Sequence, residues 1–497
     1  MPESEVLLGY DLGSSSVKLS AIDADTGKLL GSASYPEVEM KIHAEQAGWA
    51  EQEPNYWWEC IQEVTKKVAL KVTLVNVKAI GIAYQMHGLV AVDKDQNVLR
   101  PSIIWCDSRA VTIGDIAFNE LGNQFCLEHY LNSPGNFTAS KLKWVKENEP
   151  DIYSKIHKVM LPGDFVAMKM TGEINTTISG LSEGILWDFK EGHVADKLLA
   201  YYGIDETLIP NVIGTFSEQG KLTEKAAKEL GLKADIPIAY RAGDQPNNAF
   251  SLNVLEPGEL AATAGTSGVV YGISDSPDFD PQSRVNTFVH VNHESSQPRY
   301  GVLLCVNGTG ILNSWFKNNM TGNGDFDYPN MNELAAQAPI GTDGLMVLPF
   351  GNGAERVLGN KDINAQIQGL NFNLHTQGHM FRALQEGIVY ALNYGFEVMN
   401  QMGLQLNTVK AGHANMFLSP IFREAFANTT GATIELYDTD GSQGAARGAG
   451  VGIGYYTSPS DSCHNLKTIQ VIEPDTEKQA IYETAYQNWL ALLNKSL

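Results

Sequence analysis

Residues 5–35, EVLLGYDLGSSSVKLSAIDADTGKLLGSASY, decide the fold together with a shorter stretch at 258–276, GELAATAGTSGVVYGISDS. In the first, apolar runs of strand length break at Gly13 with Ser14 to Ser16 and again at Asp25 to Gly27, which predicts three strands joined by hairpins. The second has a strand, a Gly265-Thr266-Ser267 turn and another strand. The same pattern at the start and near the middle of the chain implies a duplicated α/β unit. Elsewhere, short apolar runs alternate with longer amphipathic stretches, as in an α/β protein. The 497 residues exceed the roughly 250–300 at which one hydrophobic core stops growing. Two domains are therefore expected, 1–251 and 252–497.

A small-residue turn between strands is either a tight turn or a phosphate nest. Gly13 and Gly265 allow close approach, and Ser14, Ser15, Thr266 and Ser267 add hydroxyls to successive backbone N–H donors. Asp11 ends the first strand, where it is either a turn former or a ligand for a metal ion bridging phosphates. With Lys18 on the next strand, one hairpin supplies a carboxylate, donors and a cation.

Composition restricts what can be bound. With 35 basic and 57 acidic residues the net charge is −22, and nothing forms a Lys/Arg-rich run. Nucleic acid and anionic membranes are repelled. The five cysteines, Cys60, Cys106, Cys126, Cys305 and Cys463, contain no Cys-x-x-Cys pair, so neither a disulfide framework nor a thiolate zinc site is expected. A reducing cytoplasm fits best. The opening MPESEVLLGYDLG lacks a signal-peptide pattern, and no apolar run approaches the ~20 residues that span a bilayer.

In AGDQPNNAF, residues 242–250, Asp244 follows a predicted strand, DIPIAY, and precedes a helix start with Pro246 in its first turn. It is read as a helix N-cap, as a reacting base, or as both. A carboxylate at a strand's C-terminal end beside a helix N-terminus lies where α/β proteins place ligands. The helix dipole should lower its pKa below about 3.9, leaving a weak base. Phosphoryl transfer tolerates weak bases, because positioning and charge neutralisation carry most of that catalysis.

The ordered set YDLGSSSVK, YQMHGLV, IIWCDSR, FTASKLKWVKENEP, LPGDFVAMKMTGE, AGDQPNNAF, EPGELAATAGTSGVVY, NGTG and DGSQGAARGAGVG resembles the FGGY family of carbohydrate kinases over almost the whole chain. Members acting on D-xylulose are the most similar. The resemblance implies two duplicated ribonuclease H-like domains of the actin/hexokinase type, with ATP and sugar meeting in a cleft between them. It also implies Mg²⁺-ATP-dependent phosphorylation of a terminal ketose hydroxyl, and a homodimer as the common assembly. On that model Asp244 is the catalytic base, Asp11 organises Mg²⁺ with Asp244 as a further metal-site carboxylate, and Met86 and His87 contact the sugar. Gly265, Thr266 and Ser267 resemble a β/γ-phosphate site. Gly308 and Gly310 line the nucleotide cleft, and Gly412 and Asn415 occupy the adenosine-motif position, where the usual glycine-rich run is otherwise not kept.

Gln245 follows Asp244 in the order familiar from glycerol kinases, but those enzymes carry Arg-Glu where this chain has Met86-His87. A ketose is therefore expected ahead of glycerol, with L-ribulose, L-fuculose and L-rhamnulose as alternatives. Asp107 and Arg109 either bind sugar or pair with each other. Two readings from other classes are an actin-like ATPase that hydrolyses ATP without sugar and a sugar-binding protein without turnover. The pairs His290/His293 and His375/His379 show ligand-like spacing but lack an evident third ligand. GAARGAGVGIG reads as a closely packed helix face, FTASKLKWVKENEP as a structural helix ended by Pro150, and Trp57 and Trp58 as residues of a subunit contact.

Overall fold

Strand β1 (Val6–Leu12) pairs antiparallel with β2 (Val17–Asp23), placing Asp11 opposite Lys18, and β2 pairs antiparallel with β3 (Leu29–Tyr35). Both predicted hairpins are present in this computed structural model, which describes residues 4–320, 327–405 and 407–497. Strand β4 (Val77–Tyr84) joins β1 in parallel and β5 (Ile238–Gly243) joins β4 in parallel, giving the order β5-β4-β1-β2-β3. The inner strands are near-continuous apolar runs because helices cover both faces of the sheet. One face meets the helices Pro54–Ala69 and Pro162–Thr171, whose Trp57, Ile61, Val64 and Phe165 share its core.

The other face meets the helix Gly441–Gly452. Its backbone comes so close to the sheet that a Cβ on Gly9 would lie 1.9 Å from the Ser442 carbonyl oxygen, and one on Gly81 1.9 Å from that of Ala445. The small-residue stretch is thus a packing face, as expected. Trp57 and Trp58 are not at a subunit surface. Both are buried, with their indole N–H groups donating to Gln52 and Glu229; as members of an amphipathic helix they belong to its apolar side.

The second sheet repeats the plan. Strands β6 (Leu260–Ala264) and β7 (Gly268–Ser274) form an antiparallel hairpin across the Gly265 turn. With β8 (Asn286–Val289), β9 (Tyr300–Val306), β10 (Thr408–Gly412), β11 (Thr433–Tyr437) and β12 (Thr468–Ile472) the order is β8-β9-β7-β6-β10-β11-β12. Its portion β9-β7-β6-β10-β11 reproduces β3-β2-β1-β4-β5, including the parallel pairs β6/β10 and β10/β11. The helices Gln377–Gln401, Pro420–Thr430 and Thr476–Ser496 supply its core, with the Trp489 indole donating to the Val347 carbonyl at 2.8 Å.

The chain divides into two units. Unit 1 comprises the residues up to Leu255, Phe288–Tyr300 and Thr439–Leu466; unit 2 comprises Glu256–Thr287, Gly301–Asp438 and Lys467–Leu497. The helix Gly441–Gly452 follows β11 in sequence but belongs to unit 1, where Gly9 and Gly81 receive it. Among the described residues no helix is long and apolar enough to cross a membrane.

Candidate functional site

Three carboxylates converge at the carboxyl ends of the unit 1 strands. Asp11 lies near the end of β1, Asp244 directly after β5, and Asp440 is the N-cap of the helix Gly441–Gly452. A Cβ on Gly441 would lie 2.3 Å from Oδ2 of Asp11, so glycine at 441 lets that helix start against the carboxylate. Asn247, on the helix Asp244–Ser251, donates to the Gly441 carbonyl at 2.8 Å and ties the two helix starts together. Lys18 donates to Oδ2 of Asp440 at 2.7 Å.

Burial and the neighbouring Asp440 push the Asp11 carboxyl up to about 6, against the opposing pull of Lys18. Burial and Asp11 push the Asp244 carboxyl up to about 7, although Gln245 hydrogen bonds oppose the shift. Two expectations about Asp244 are corrected. Gly243 is the N-cap and Asp244 the first helical residue. The dipole does not leave its pKa below the ordinary value, because desolvation and a second carboxylate outweigh a helix terminus. Asp11 and Asp244 are hard oxygen donors whose repulsion a dication offsets, which fits Mg²⁺, an ion that takes one or two carboxylates and completes its shell with phosphates and water. Among the described residues no group of three or more His, Cys, Asp or Glu could hold a metal by itself.

The Gly13 turn is closed by its N–H donating to the Ser16 carbonyl at 3.0 Å, while the carbonyls of Ser14 and Ser15 accept from Gln52 and from the Met40 N–H. With the carbonyls engaged, Ser15 is exposed.

Met86 and His87 follow β4. Met86 lies against the residue preceding Asp244: a Cβ on Gly243 would meet its Cγ at 2.7 Å. His87 has φ 61° and is held at both ends, its N–H donating to Oε2 of Glu183 at 3.2 Å and its carbonyl accepting from Lys141 at 2.9 Å. Its ring nitrogen Nδ1 lies 2.8 Å from the Glu183 carbonyl oxygen, and Phe137 and Phe288 flank the ring at 4.9 and 5.5 Å. Burial pushes the Lys141 amine down to about 8 and holds the Glu183 carboxyl well above the usual carboxylate range, despite the bonds from Tyr84 and His87.

Asp107 is fully buried, accepting from the Ala50 N–H, the Arg109 N–H and the Arg109 guanidinium. That guanidinium stacks between Trp49 and Trp144, at 3.8 and 4.7 Å, and pairs with Glu51 at 2.7 Å. Of the two alternatives for Asp107 and Arg109, the mutual pair is formed. His290 is buried with Nε2 near the Val254 carbonyl, and His375 and His379 both face Asp343.

In unit 2 the candidate nucleotide residues meet around the β6–β7 turn. The N–H groups of Gly310 and Ile311 donate to the carbonyls of Gly265 and Thr266 at 2.8 and 3.2 Å. A Cβ on Gly310 would lie 2.2 Å from the Gly265 oxygen, one on Gly308 would lie 1.6 Å from the Pro349 oxygen, and one on Gly265 would lie 3.6 Å from Nδ2 of Asn415. Asn415 has φ 54° and follows Gly412, the last residue of β10. Thr266 is exposed and Ser267 partly so. Beneath the loop, fully buried Glu355 accepts from the Asn307 N–H at 3.0 Å, and burial pushes its carboxyl up to about 7.

Sequence reasoning missed Asp440, Glu183, Lys141 and Glu355. Asp440 precedes a glycine-rich helix and had an N-cap signal; the others act through partners distant in sequence, and no local pattern marks them.

Family models describing the N-terminal and C-terminal domains of the FGGY family of carbohydrate kinases match residues 6–251 and 260–452. A xylulose kinase of Escherichia coli is 29% identical over 99% of this chain and 99% of its own. Among solved structures, one described as a xyloylose kinase from Brucella ovis has a TM-score of 0.88 at 25% identity, covering 98% of each chain. A structure described as a gluconate kinase from Lactobacillus acidophilus has a TM-score of 0.89 at 22% identity, covering 99% of this chain and 98% of its own, and shares the fold. Two matched domains, a duplicated sheet plan and full-length relatives lead to one conclusion: the chain belongs to the FGGY family of carbohydrate kinases and is a sugar kinase that uses ATP.

Proposed function

We propose that this kinase phosphorylates the terminal hydroxyl of a ketose, with D-xylulose as the substrate and D-xylulose 5-phosphate as the product. The observation that carries this reading is the contact of Met86 with Gly243, which sets the Met86-His87 pair beside the strand end that bears Asp244. Full-length similarity to kinases named for xylulose supports the choice of ketose. Gln245 favours glycerol as a second reading, opposed by the Met86-His87 pair.

In the proposed reaction Met86 and His87 orient the sugar, and Asp244 accepts the proton of its terminal hydroxyl. The hydroxyl oxygen forms a bond to the γ-phosphorus as the bond from that phosphorus to the β–γ bridging oxygen breaks, and ADP leaves. The Ser14/Ser15 and Gly265–Ser267 turns donate hydrogen bonds to phosphate oxygens. Gly308, Gly310, Gly412 and Asn415 line the nucleotide site. When bound by Asp11 and Asp244, Mg²⁺ offsets the charge on the phosphates. Lys18, held by Asp440, adds positive charge to the same hairpin.

The test is ADP release over D-xylulose, D-ribulose, L-ribulose, L-fuculose, L-rhamnulose and glycerol. The highest kcat/KM is expected with D-xylulose; a higher value for another acceptor overturns the substrate, and equal rates without sugar overturn sugar phosphorylation. Sedimentation of the purified chain tests the proposed homodimer.

A further inference from the structure

The geometry points to Glu183 as a positioning residue for sugar recognition, holding His87 in the one orientation from which its ring can address a ketose hydroxyl. This rests on the proposed role of His87 as a sugar contact.

Glu183 engages His87 through two oxygens in three contacts. Oε2 accepts the His87 N–H at 3.2 Å, the same oxygen lies 3.6 Å from Nδ1, and the Glu183 carbonyl oxygen lies 2.8 Å from Nδ1. A carbonyl can only accept, so Nδ1 carries a proton, and when the ring is neutral Nε2 is the acceptor, suited to a sugar O–H. The backbone bond matters equally. His87 has φ 61°, a region that a side-chain-bearing residue enters only when its surroundings hold it there.

The carboxyl is itself fixed. Oε1 accepts from the Tyr84 hydroxyl at 2.7 Å. The Tyr84 ring fits only because position 163 is glycine, where a Cβ would lie 2.1 Å from it, and its hydroxyl would lie 3.2 Å from a Cβ on Gly180. Glu183 ends the short helix Ile178–Glu183, whose Ser179 donates to the Val289 carbonyl and whose Ser182 accepts the Val289 N–H, each at 2.9 Å. That same segment supplies Phe288 against the His87 ring. The carboxyl thus links the end of β4 with the residue beside Asp244, since a Cβ on Gly243 would lie 3.3 Å from Oε2, while the hydroxyls of Ser179 and Ser182 tie its helix to the 288–300 segment.

Glu183→Gln keeps the volume but turns one acceptor into a donor facing either Tyr84 or the His87 N–H. The expected result is a rise of about tenfold in KM for the sugar, the scale of one lost buried hydrogen bond, with KM for ATP within about twofold of wild type. A variant with sugar KM unchanged, or with both KM values raised equally, overturns the inference. A second readout does not depend on turnover: nitrogen-15 chemical shifts of the His87 ring in the ligand-free protein. A change in the ring signals in Glu183→Gln, which keeps the main-chain carbonyl that accepts from Nδ1 and alters only the carboxyl that holds the His87 N–H, supports the inference, and an unchanged ring overturns it. If wild type phosphorylates no ketose, the substrate reading falls, and the ring shifts still decide whether Glu183 positions His87.

Discussion

The two hairpin turns, Gly13–Ser16 in unit 1 and Gly265–Ser267 in unit 2, occupy the same place in the same strand order and have different neighbours. The first lies in a hairpin that bears Asp11 and Lys18, with Asp440 joined to Lys18 and Asp244 coupled to Asp11. The second meets backbone N–H groups of Gly310 and Ile311 and the amide side of Asn415, and Glu355 lies buried against the Asn307 N–H. In the proposed mechanism the duplicated scaffold separates two tasks. Unit 1 concentrates titratable groups able to move a proton and hold a cation, whereas unit 2 offers close backbone approach of the kind a nucleotide needs.

The most severe test of that division is Asp244→Asn, which removes the base and keeps the hydrogen-bonding shape. We expect kcat to fall about a thousandfold in coupled ADP-release assays, with the melting temperature retained. Near-normal turnover would make Asp244 merely structural and erase the contrast between the units. Asp11→Asn should lower kcat about a hundredfold and raise the Mg²⁺ concentration needed for half-maximal rate, because one hard donor is lost from the cation site. A change in rate with no change in Mg²⁺ requirement would place Asp11 outside that site.

Unit 2 should respond differently. Gly310→Ala pushes a Cβ toward the Gly265 oxygen and should raise KM for ATP about tenfold while leaving KM for sugar near wild type. Equal effects on both substrates would break the separation of tasks.

A smaller effect concerns stability. The Asp11 and Asp244 carboxyls are pushed up to about 6 and about 7 from ordinary values of 3.8. Between those limits the native state holds more protons than the unfolded one, so their contribution is complete below pH about 4 and is lost as pH rises through about 6 and 7. Ligand-free Asp11→Asn should accordingly exceed wild type in stability by about 1 kcal/mol at pH 8 and match it at pH 4, measured by urea unfolding. The reverse ordering would mean that the carboxylates are stabilised as a charged pair by Lys18.

Much of the fold was legible because it rests on local rules. Both hairpins, the strand before Asp244 and the close-packed helix after Asp440 follow from apolar periodicity and small-residue turns. The candidate site was legible where a residue sits at a strand end, as with Asp11 and Asp244. Glu183 and Lys141 were not, since each is defined by a bond to His87, 96 and 54 residues away. Trp57 and Trp58 mislead for a related reason: an aromatic pair carries no local sign of whether it faces a core or a partner.

The sequence by itself determined which groups are available, namely two small-residue turns, an aspartate at each of two strand ends and the Met86-His87 pair, because propensity and turn chemistry act over a few residues. Only the tertiary structure decided how those groups behave. Asp244 is driven toward neutrality instead of being a weak base, Asp107 is occupied by Arg109, and His87 is held by Glu183. The physical reason is that protonation and orientation depend on desolvation and on charges brought close by packing, and those distances exist only once the chain has folded.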